Sequence, residues 1–404
     1  MQPADTSTLL RSEAELELNL TRKAKSDRTK HLGWPIDTPG KALDLQLHGS
    51  VAWIAENTTV VRKLDLETGK TLQLFRGHTA PVTALTFVDR SPGSGDHRFL
   101  LSGSWDKTIK VWDTETKQLV SSTEAHSDFV KVLLVVPALS LLVSGGSDKI
   151  VRFWDVSDVG NGKPLQSVGS LTDHTRPVEA LEARMLSENA VVLYTGDTMG
   201  IIKVWEVTLD KGTPPRWQSK LIDELKHHRT RVDAMQYGNG HLWTASTDET
   251  VHVVPHPAPE NSAQTRPLPP IEHLTAVRAM LPLACSPLAE PYLLTGAGDI
   301  IYAYDVSSPD LPELLGQTDG HWHDVTALRL WVRKTEVEGE PGKTRVEPWV
   351  VSASLDGTLK RWKLSELLHP PPPKQEEIEA QPVSQMDDID EDEERELAEL
   401  MGED

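Results

Sequence analysis

The chain is built from short runs in which apolar and polar residues alternate, separated by small polar residues. Between residues 98 and 125 these runs are RFLLSGS, DKTIKVWD and KQLVSSTEA. A period of two predicts short β-strands with one buried face. The Asp of segments such as SWDKT and GSDKI falls between two runs, where a short polar side chain favours a tight turn. The pattern therefore predicts antiparallel strands joined by turns.

This pattern recurs along the chain. KVWD ends at Asp113, RFWD at Asp155 and KVWE at Glu206, and KRWK surrounds Trp362. A repeat every 42 to 58 residues is typical of a fold in which each unit is one small group of strands. Seven anchor positions, 42 to 58 residues apart, mark seven units: Leu64, Trp112, Trp154, Trp205, Val254, Tyr304 and Trp362.

Other residue types keep register with these anchors. A Ser or Thr stands nine or ten residues before the anchor in six units, an Asp stands five or six before it in five units, and a His lies further upstream. Three units hold all four residue types: His78, Ser102, Asp106 and Trp112; His126, Ser144, Asp148 and Trp154; His321, Ser352, Asp356 and Trp362.

This order of His, Ser or Thr, Asp and Trp-Asp resembles the WD-repeat β-propeller family. The resemblance covers residues 41–369. It implies an all-β chain that folds as a single seven-bladed β-propeller with four antiparallel strands per blade. It also implies that the four residue types form a hydrogen-bonded network that fastens each blade, and such networks rigidify a structure when every member is paired.

Ser, His and Asp in one unit also raise the possibility of a nucleophilic active site. Such a site needs one activated serine with an oxyanion hole beside it. Because the constellation recurs in unit after unit, we interpret it as structural and expect no catalytic residue.

Met199 stands at the Asp position of the fourth unit, and Val254 and Tyr304 replace the Trp of the fifth and sixth. We expect weaker networks in those units.

Residues 1–40 form an N-terminal segment before the repeats. A propeller must avoid an open sheet edge where its ends meet, and members of the family commonly use a strand from the other terminus for this. ELELNL, at residues 15–20, alternates at period two, so we predict that it closes the seventh blade; the alternative is a helix across residues 12–25. The basic segment 22–31 is interpreted as a solvated linker, with nuclear localisation as the alternative.

Residues 370–404 begin with four prolines, which favour an extended spacer. The rest of this segment holds 14 acidic and two basic residues, so we expect a disordered acidic tail. Within 393–401, Leu397, Leu400 and Met401 fall at helical spacing and predict a short apolar helix face. That face would dock in a partner's groove; the alternative is a tail that only solvates.

The resemblance also implies where partners bind. In the family, the residue before the turn Asp and residues shortly after the His line one face around the central channel. Aromatic and Arg side chains are the types enriched at interface hot spots. The matching positions, predicted here to bind partners, are Trp105, Phe129, Lys131, Arg231, Asp233, Arg278 and Trp322.

Composition narrows the classes of function. A net charge of −20 disfavours direct binding to nucleic acid or to anionic membranes. Cys285 is the only cysteine, which excludes an internal disulfide and is typical of a reducing compartment, so we expect a cytoplasmic or nuclear protein. No secretory signal is recognised, and the apolar run 132–143 is too short to span a bilayer; it predicts two strands joined by a turn. We expect no metal and no cofactor.

These observations favour a non-enzymatic scaffold or adaptor subunit of a larger complex, which binds proteins through one propeller face and the acidic tail. A second hypothesis is an assembly chaperone for basic clients such as histones or ribosomal proteins, with the tail shielding their charge. A third is a non-catalytic subunit of an RNA- or chromatin-modifying enzyme. Partner identity is open at this level, because one fold hosts many roles.

Overall fold

Within the residues that the structure describes, the alternating runs form 28 strands that make seven four-stranded antiparallel sheets. The computed structural model describes residues 13–90, 94–210, 212, 216–257, 268–308, 311–336 and 344–370, with only the backbone of residues 13–19. The prediction of a single all-β propeller with seven blades of four antiparallel strands is confirmed for these residues.

The strands are numbered along the chain, and within each blade they pair in sequence from the innermost strand outwards. Blade 1 contains β2 (Ala42–His48), β3 (Val51–Glu56), β4 (Val60–Asp65) and β5 (Thr71–Arg76). Blade 2 contains β6 (Val82–Val88), β7 (Phe99–Ser104), β8 (Thr108–Asp113) and β9 (Leu119–Glu124). Blade 3 contains β10 (Val130–Val136), β11 (Leu141–Gly146), β12 (Val151–Asp155) and β13 (Gln166–Leu171).

Blade 4 contains β14 (Val178–Ser187), β15 (Ala190–Asp197), β16 (Ile202–Asp210) and β17 (Arg216–Leu225). Blade 5 contains β18 (Val232–Gly238), β19 (His241–Ser246), β20 (Thr250–Pro255) and β21 (Ile271–Glu272). Blade 6 contains β22 (Val277–Pro282), β23 (Tyr292–Ala297), β24 (Ile300–Asp305) and β25 (Glu313–Thr318). Blade 7 contains β26 (Val325–Glu336), β27 (Thr344–Ser354), β28 (Thr358–Lys363) and, as its outermost strand, β1 (Pro35–Asp37).

Helices are few in the described chain. The α-helices are α1 (Glu13–Thr29) and α2 (Leu364–Leu368), and single 3₁₀ turns cover Pro137–Leu139 and Leu283–Cys285. The first of these turns joins β10 to β11, so the apolar run 132–143 is two strands and a turn, as predicted.

Neighbouring blades pack face to face through apolar side chains. The central strands are almost wholly buried, and the glycine of the SGS segment lets the next blade approach closely. A Cβ atom at Gly103 would lie 2.7 Å from Cγ1 of Val130, and one at Gly296 would lie 2.7 Å from Cγ1 of Val325. Since real side-chain atoms do not approach so closely, only glycine fits at these two contacts between blades.

The ring is closed by β1, which pairs with β28 in the register Pro35↔Lys360, Ile36↔Leu359 and Asp37↔Thr358. The prediction that residues 15–20 form this strand is wrong, because they lie inside α1. The hydroxyl of Thr326 in blade 7 adds a second closure, donating to the carbonyl of Ala42 in blade 1 at 2.8 Å.

The C-terminal end of α1 is anchored to blades 6 and 7. Lys25 Nζ lies 2.6 Å from Asp299 and 2.7 Å from Asp319, and Arg28 pairs with Asp319. The buried Lys360 of β28 donates to the carbonyls of Thr29 and Gly320, both at 2.6 Å. The interpretation of residues 22–31 as a solvated linker is therefore wrong for Lys25 and Thr29, which bind the propeller.

The chain divides into two units after Pro370, and the propeller lies in the first. Pro370 is the last described residue, and the rest of the predicted spacer and the tail, including the proposed helical motif at 393–401, lie outside the described residues.

Lys360 offers a test of this anchor. We expect Lys360→Met to lower the free energy of unfolding by about 2–3 kcal/mol, because two buried carbonyls would lose their donor. Urea unfolding followed by fluorescence measures the change. Lys110 occupies the same position in blade 2 but bonds the exposed Ser122, so Lys110→Met is the matched control and should cost less than about 1 kcal/mol. Equal losses in both variants would contradict the anchoring role.

Candidate functional site

In blade 2 the predicted network is present as a continuous series of hydrogen bonds from the aspartate through the histidine and serine to the tryptophan. Nδ1 of His78 lies 2.7 Å from Oδ2 of Asp106, and Nε2 lies 2.8 Å from Oγ of Ser102. The indole N–H of Trp112 donates to the same Oγ at 2.9 Å. A neutral imidazole with its proton on Nδ1 satisfies every group: it donates to the carboxylate and accepts from the serine hydroxyl.

Blades 3 and 7 repeat this geometry. His126 lies 2.8 Å from Asp148 and 2.7 Å from Ser144, and Trp154 donates to Ser144 at 2.9 Å. In blade 7 the corresponding distances, from His321 to Asp356, from His321 to Ser352 and from Trp362 to Ser352, are 2.8, 2.8 and 2.9 Å.

The turn that carries each Asp is formed by local sequence. In blade 2 the carboxylate of Asp106 accepts the N–H and the hydroxyl of Thr108, at 3.0 and 2.6 Å. The intervening Lys107 has a φ of 71°, a left-handed conformation that such a turn requires. The sequence D-x-T therefore shapes the turn and aims the second carboxylate oxygen at the histidine.

The pKa values of the network carboxyls are low. Burial alone would raise the pKa of Asp356, but hydrogen bonds from His321 and Thr358 outweigh it and hold the pKa at about 2. Burial is also the main reason why the pKa of His126 and of His321 is lowered, although each faces a carboxylate. These histidines are neutral at physiological pH, in agreement with the assigned tautomer.

The serines of the network are not placed for nucleophilic chemistry. Ser102, Ser144 and Ser352 are 0% exposed, and each hydroxyl is held between a histidine and a tryptophan. A nucleophile must come within reach of a substrate atom, whereas these three hydroxyls are buried and already hydrogen-bonded. The constellation is therefore structural.

The fourth blade corrects the expectation of a weak network. Asp197, two residues before Met199, takes the missing role: its Oδ2 lies 3.2 Å from Nδ1 of His174. His174 also bonds Thr195 at 2.7 Å, and Trp205 donates to Thr195 at 3.0 Å. The sequence contains this aspartate, but at an offset that a fixed-register comparison overlooks.

The fifth blade replaces the tryptophan with a second histidine. His228 bonds Thr244 at 2.9 Å and Asp248 at 3.2 Å, and Nε2 of His227 lies 3.0 Å from the same Thr244 hydroxyl, where an indole would otherwise donate. The ring of His252 lies 4.7 Å from that of His227. The two adjacent histidines in the sequence KHHRT were the feature from which this replacement of the tryptophan could have been predicted. Within the described ranges no group of three or more His, Cys, Asp and Glu residues is arranged to hold a metal ion.

In the sixth blade the aspartate does not bond the histidine but pairs with a lysine of helix α1. His273 bonds Thr295 at 2.8 Å and lies 3.3 Å from the hydroxyl of Tyr304. Its Nδ1 has no well-aligned hydrogen-bond partner among the described residues, and Asp299, which would fill that role, pairs with Lys25 of α1. The looser network expected here is thus present, and the aspartate of this blade pairs with helix α1 instead of His273.

Blade 1 has a different set of buried polar residues. Its Arg62 is buried and pairs with the buried Glu56, and it also donates to Thr71 at 2.8 Å. The hydroxyl of Thr58 donates to the same Glu56 at 3.0 Å. Blade 1 therefore has a buried arginine–carboxylate pair, with Ile54 at the position that corresponds to Ser102 of blade 2.

We define the top face as the end of the propeller that carries the Asp turns and the loops entering each innermost strand. A β-bulge lies at the start of every innermost strand, at the second residue. The residues at the bulges are Leu43, Thr83, Lys131, Glu179, Asp233, Arg278 and Thr326. Because a bulge breaks the regular pairing, it changes the direction of the side chain at the start of each innermost strand. The hydroxyls of Thr83 and Thr326, for example, donate to the backbone of a neighbouring blade.

Two of the predicted partner-binding residues form a stacked pair on this face. The rings of Trp105 and Phe129 lie 5.0 Å apart at 18°, and each residue is 37% exposed. Lys131 Nζ lies 5.7 Å from the Trp105 ring. The pair spans blades 2 and 3, so two loops that are 24 residues apart in sequence present one aromatic surface.

The predicted charged residues form ion pairs around the inner rim, which we call the channel mouth. Lys131 lies 3.4 Å from Glu179, and Arg278 lies 2.9 Å from Asp324. Arg231 donates to Asp233 through Nε at 2.7 Å. The sequence analysis did not name Glu179 or Asp324, although in the repeat register they occupy the same positions as Lys131 and Arg231.

Trp322 is not part of the aromatic pair. It is half-buried, its ring lies 5.8 Å from that of His323, and its backbone N–H donates to Asp356 at 3.4 Å. Leu397, Leu400 and Met401 lie outside the described residues.

Comparison with known proteins agrees with this architecture. The model of the family "WD domain, G-beta repeat" matches residues 69–113 and 117–155. An uncharacterized WD repeat-containing protein of Schizosaccharomyces pombe is 26% identical over 378 residues, which cover 90% of each chain. COMPASS component SWD3 of Saccharomyces cerevisiae is 34% identical over 139 residues, which cover 33% of this chain and 41% of that protein.

Among solved structures, the computationally designed protein Ika8 superposes with a TM-score of 0.55 at 22% identity, over 82% of this chain and all of that one. At that identity the likeness shows the fold alone. The described helices include none that is both long and apolar enough to cross a membrane.

The buried histidine of blade 6 predicts a pH response of stability. Burial lowers the pKa of His273 to about 4 from 6.5, so the unfolded chain takes up this proton at a higher pH than the folded one. The histidine's contribution to stability is therefore complete above pH 6.5 and is lost as the pH falls towards 4. We expect His273→Gln to flatten the fall in unfolding free energy over that window.

Denaturant titrations at four pH values between 4 and 7 measure this slope. His31 is exposed, so His31→Gln is the matched control and should keep the wild-type slope. A His273→Gln slope equal to that of the wild-type protein would show that this histidine does not titrate as described.

Proposed function

We propose that this chain, which belongs to the WD-repeat family of β-propellers, is a non-enzymatic scaffold or adaptor that binds a protein partner through its top face. The observation that carries the proposal is the stacked pair of Trp105 and Phe129. Large aromatic side chains with exposed faces are the groups that dominate binding energy at protein interfaces. The recurring polar residues of each blade are committed to internal hydrogen bonds, which leaves the face available for recognition.

The position of the pair supports this assignment. Backbone hydrogen bonds fix both loops: the N–H of Trp105 donates to the carbonyl of Pro81 at 3.0 Å, and the N–H of Ser147 donates to that of Phe129 at 2.9 Å. A rigidly held aromatic pair loses little conformational entropy on binding. Flexible surface side chains lack this advantage.

The relatives support a role within an assembly. One of them is named as a component of COMPASS, and we extend membership of a multi-subunit complex to this chain as part of the proposal. We also propose that it acts in the cytoplasm or the nucleus. The acidic tail, as a second attachment or as a shield for basic clients, stays a prediction from sequence.

The experiment is affinity capture of the tagged full-length protein from cells, quantified by mass spectrometry. We expect the double variant Trp105→Ala, Phe129→Ala to retain at most about a tenth of the specific partners, because loss of a central aromatic pair typically costs about 2 kcal/mol or more, which is about thirtyfold or more in affinity.

Leu221 is 41% exposed on the outermost strand of blade 4, so Leu221→Ala is the control and should capture partners at the wild-type level. A chain truncated after His369 separates the tail from the face. Unchanged partners in both the double variant and the truncated chain would contradict the proposal.

A further inference from the structure

We propose that the outer edge of β20 in blade 5 is a docking site for an extended segment of a partner protein, which adds to the blade as a further strand. We call residues 252–255 of β20 the open edge. This surface lies on the perimeter of the propeller, so the inference goes beyond the proposed function of the top face.

The outermost strand of blade 5 is too short to cover its neighbour. β21 has two residues, whereas the outermost strands of the other blades have three to ten. Its pairing with β20 stops at Val251↔Ile271. In blade 2, by contrast, β8 pairs with β9 from Thr108 to Trp112. Four of the six residues of β20 therefore have no strand on their outer side in the described part of the chain.

Local sequence ends β21 at this point. Pro269 and Pro270 directly precede Ile271. Continuation of the same register would place Pro270 opposite His252 and Pro269 opposite Val253. Proline has no N–H and cannot donate across a ladder. The two prolines therefore stop the pairing and leave the rest of β20 uncovered by this segment.

The alternation of the ladder decides which backbone groups lie at the open edge. The N–H of His256 donates to the carbonyl of Gly240, so the even-numbered residues of β20 bond β19. The odd-numbered residues face outwards, as Val251 does in its pairing with β21. The N–H and carbonyl of Val253 and the carbonyl of Pro255 therefore point to the perimeter. An extended chain is the ligand whose backbone complements such a row of groups.

The exposure of Val253 shows the consequence of the missing strand. Its side chain packs against the same core as Trp243 and Tyr304, yet it is half-buried. The residues at the same position in blades 2, 3, 4 and 6 are at most 2% exposed: Val111, Phe153, Val204 and Ala303. A strand laid along the open edge would cover Val253, and removing this apolar surface from water would stabilise the complex.

A second copy of this chain does not fit the open edge. Antiparallel pairing of two copies about Val253 would place Pro255 of each copy opposite Val251 of the other, and Val251 is already paired with Ile271. Pairing about Pro255 would bring two residues without an N–H opposite each other. The open edge therefore suits a free segment of about four residues, about 13 Å long, and not a strand embedded in another blade.

The first measurement is amide hydrogen exchange in the full-length protein, followed by NMR. Val111 occupies the same position in blade 2 and pairs with Ser121 of β9, so its amide is the internal reference. We expect the amide of Val253 to exchange at least about a hundredfold faster than that of Val111. Equal protection of the two amides would show that the protein's own chain covers the open edge and would overturn the inference.

The second measurement is binding of a neutral probe, the acetylated and amidated pentapeptide TVTVT, followed through the amide resonance of Val253. Its β-branched residues favour an extended conformation. We expect a saturable shift of this resonance. The same peptide with every amide nitrogen methylated keeps the side chains and loses the donors, so we expect it to bind at least about tenfold more weakly. Equal affinities of the two peptides, or no saturable shift, would overturn the inference.

Val253→Pro removes the outward N–H and is compatible with an edge strand. We expect this variant to bind the pentapeptide about tenfold more weakly, with the amide of Val254 as the reporter. Ser122 is exposed on β9, and its N–H faces the perimeter of a complete blade. Ser122→Pro is therefore the matched control and should bind as the wild-type protein does.

Unchanged affinity in Val253→Pro, or an equal loss in Ser122→Pro, would overturn the inference. Thermal unfolding checks that both variants fold, and if Val253→Pro does not, the comparison of the two peptides decides. Each of these outcomes leaves the proposed function of the top face standing, because Trp105 and Phe129 lie on a different surface.

Discussion

The hydrogen bond between a buried histidine and a buried serine or threonine is the interaction on which the blades depend. Six blades contain it, with the ring Nε2 between 2.7 and 2.9 Å from the hydroxyl oxygen. It ties the loop entering a blade to the second strand of that blade. Because both groups are removed from water, leaving either one unpaired would cost free energy, and the bond therefore specifies one arrangement of loop and strand.

The other two members of the network, the aspartate and the tryptophan, vary from blade to blade. In blade 4 the aspartate lies two residues earlier in the repeat, and in blade 5 a histidine replaces the indole as the second partner of the hydroxyl. In blade 6 Asp299 pairs with Lys25 and not with the histidine. Blade 1 departs altogether, with its buried pair of Arg62 and Glu56. Most blades thus pair the buried polar groups of the network, whereas in blade 6 Nδ1 of His273 has no aligned partner among the described residues and Asp299 pairs with α1.

Much of this could be predicted from the sequence, because the fold repeats. Seven anchors in register indicated the number of blades, and complete sets such as His78, Ser102, Asp106 and Trp112 predicted hydrogen bonds that the structure contains. The error at residues 15–20 arose because the segment alternates like a strand yet also suits a helix. The tertiary contacts of α1 join Lys25 and Thr29 to residues hundreds of positions away, and no local pattern signals them.

The face residues were predictable only by position. The register of the repeat placed Trp105, Phe129 and Asp233 near the central channel, but which of them stack and which pair depends on β-bulges and on neighbours from other blades. The ion pairs of Glu179 with Lys131 and of Asp324 with Arg278 follow from that three-dimensional arrangement. Sequence reasoning identifies candidates for such a site, whereas their chemistry depends on contacts between blades.

The central claim is that the His–Ser–Asp constellation is a cooperative structural network, and a double-mutant cycle on His321 and Asp356 tests it most directly. Both side chains are at most 1% exposed and lie 2.8 Å apart. The free energy of unfolding is measured for the wild-type protein, His321→Gln, Asp356→Asn and the double variant. The account predicts a coupling energy of about 1–3 kcal/mol; losses that add to within about 0.3 kcal/mol would contradict it.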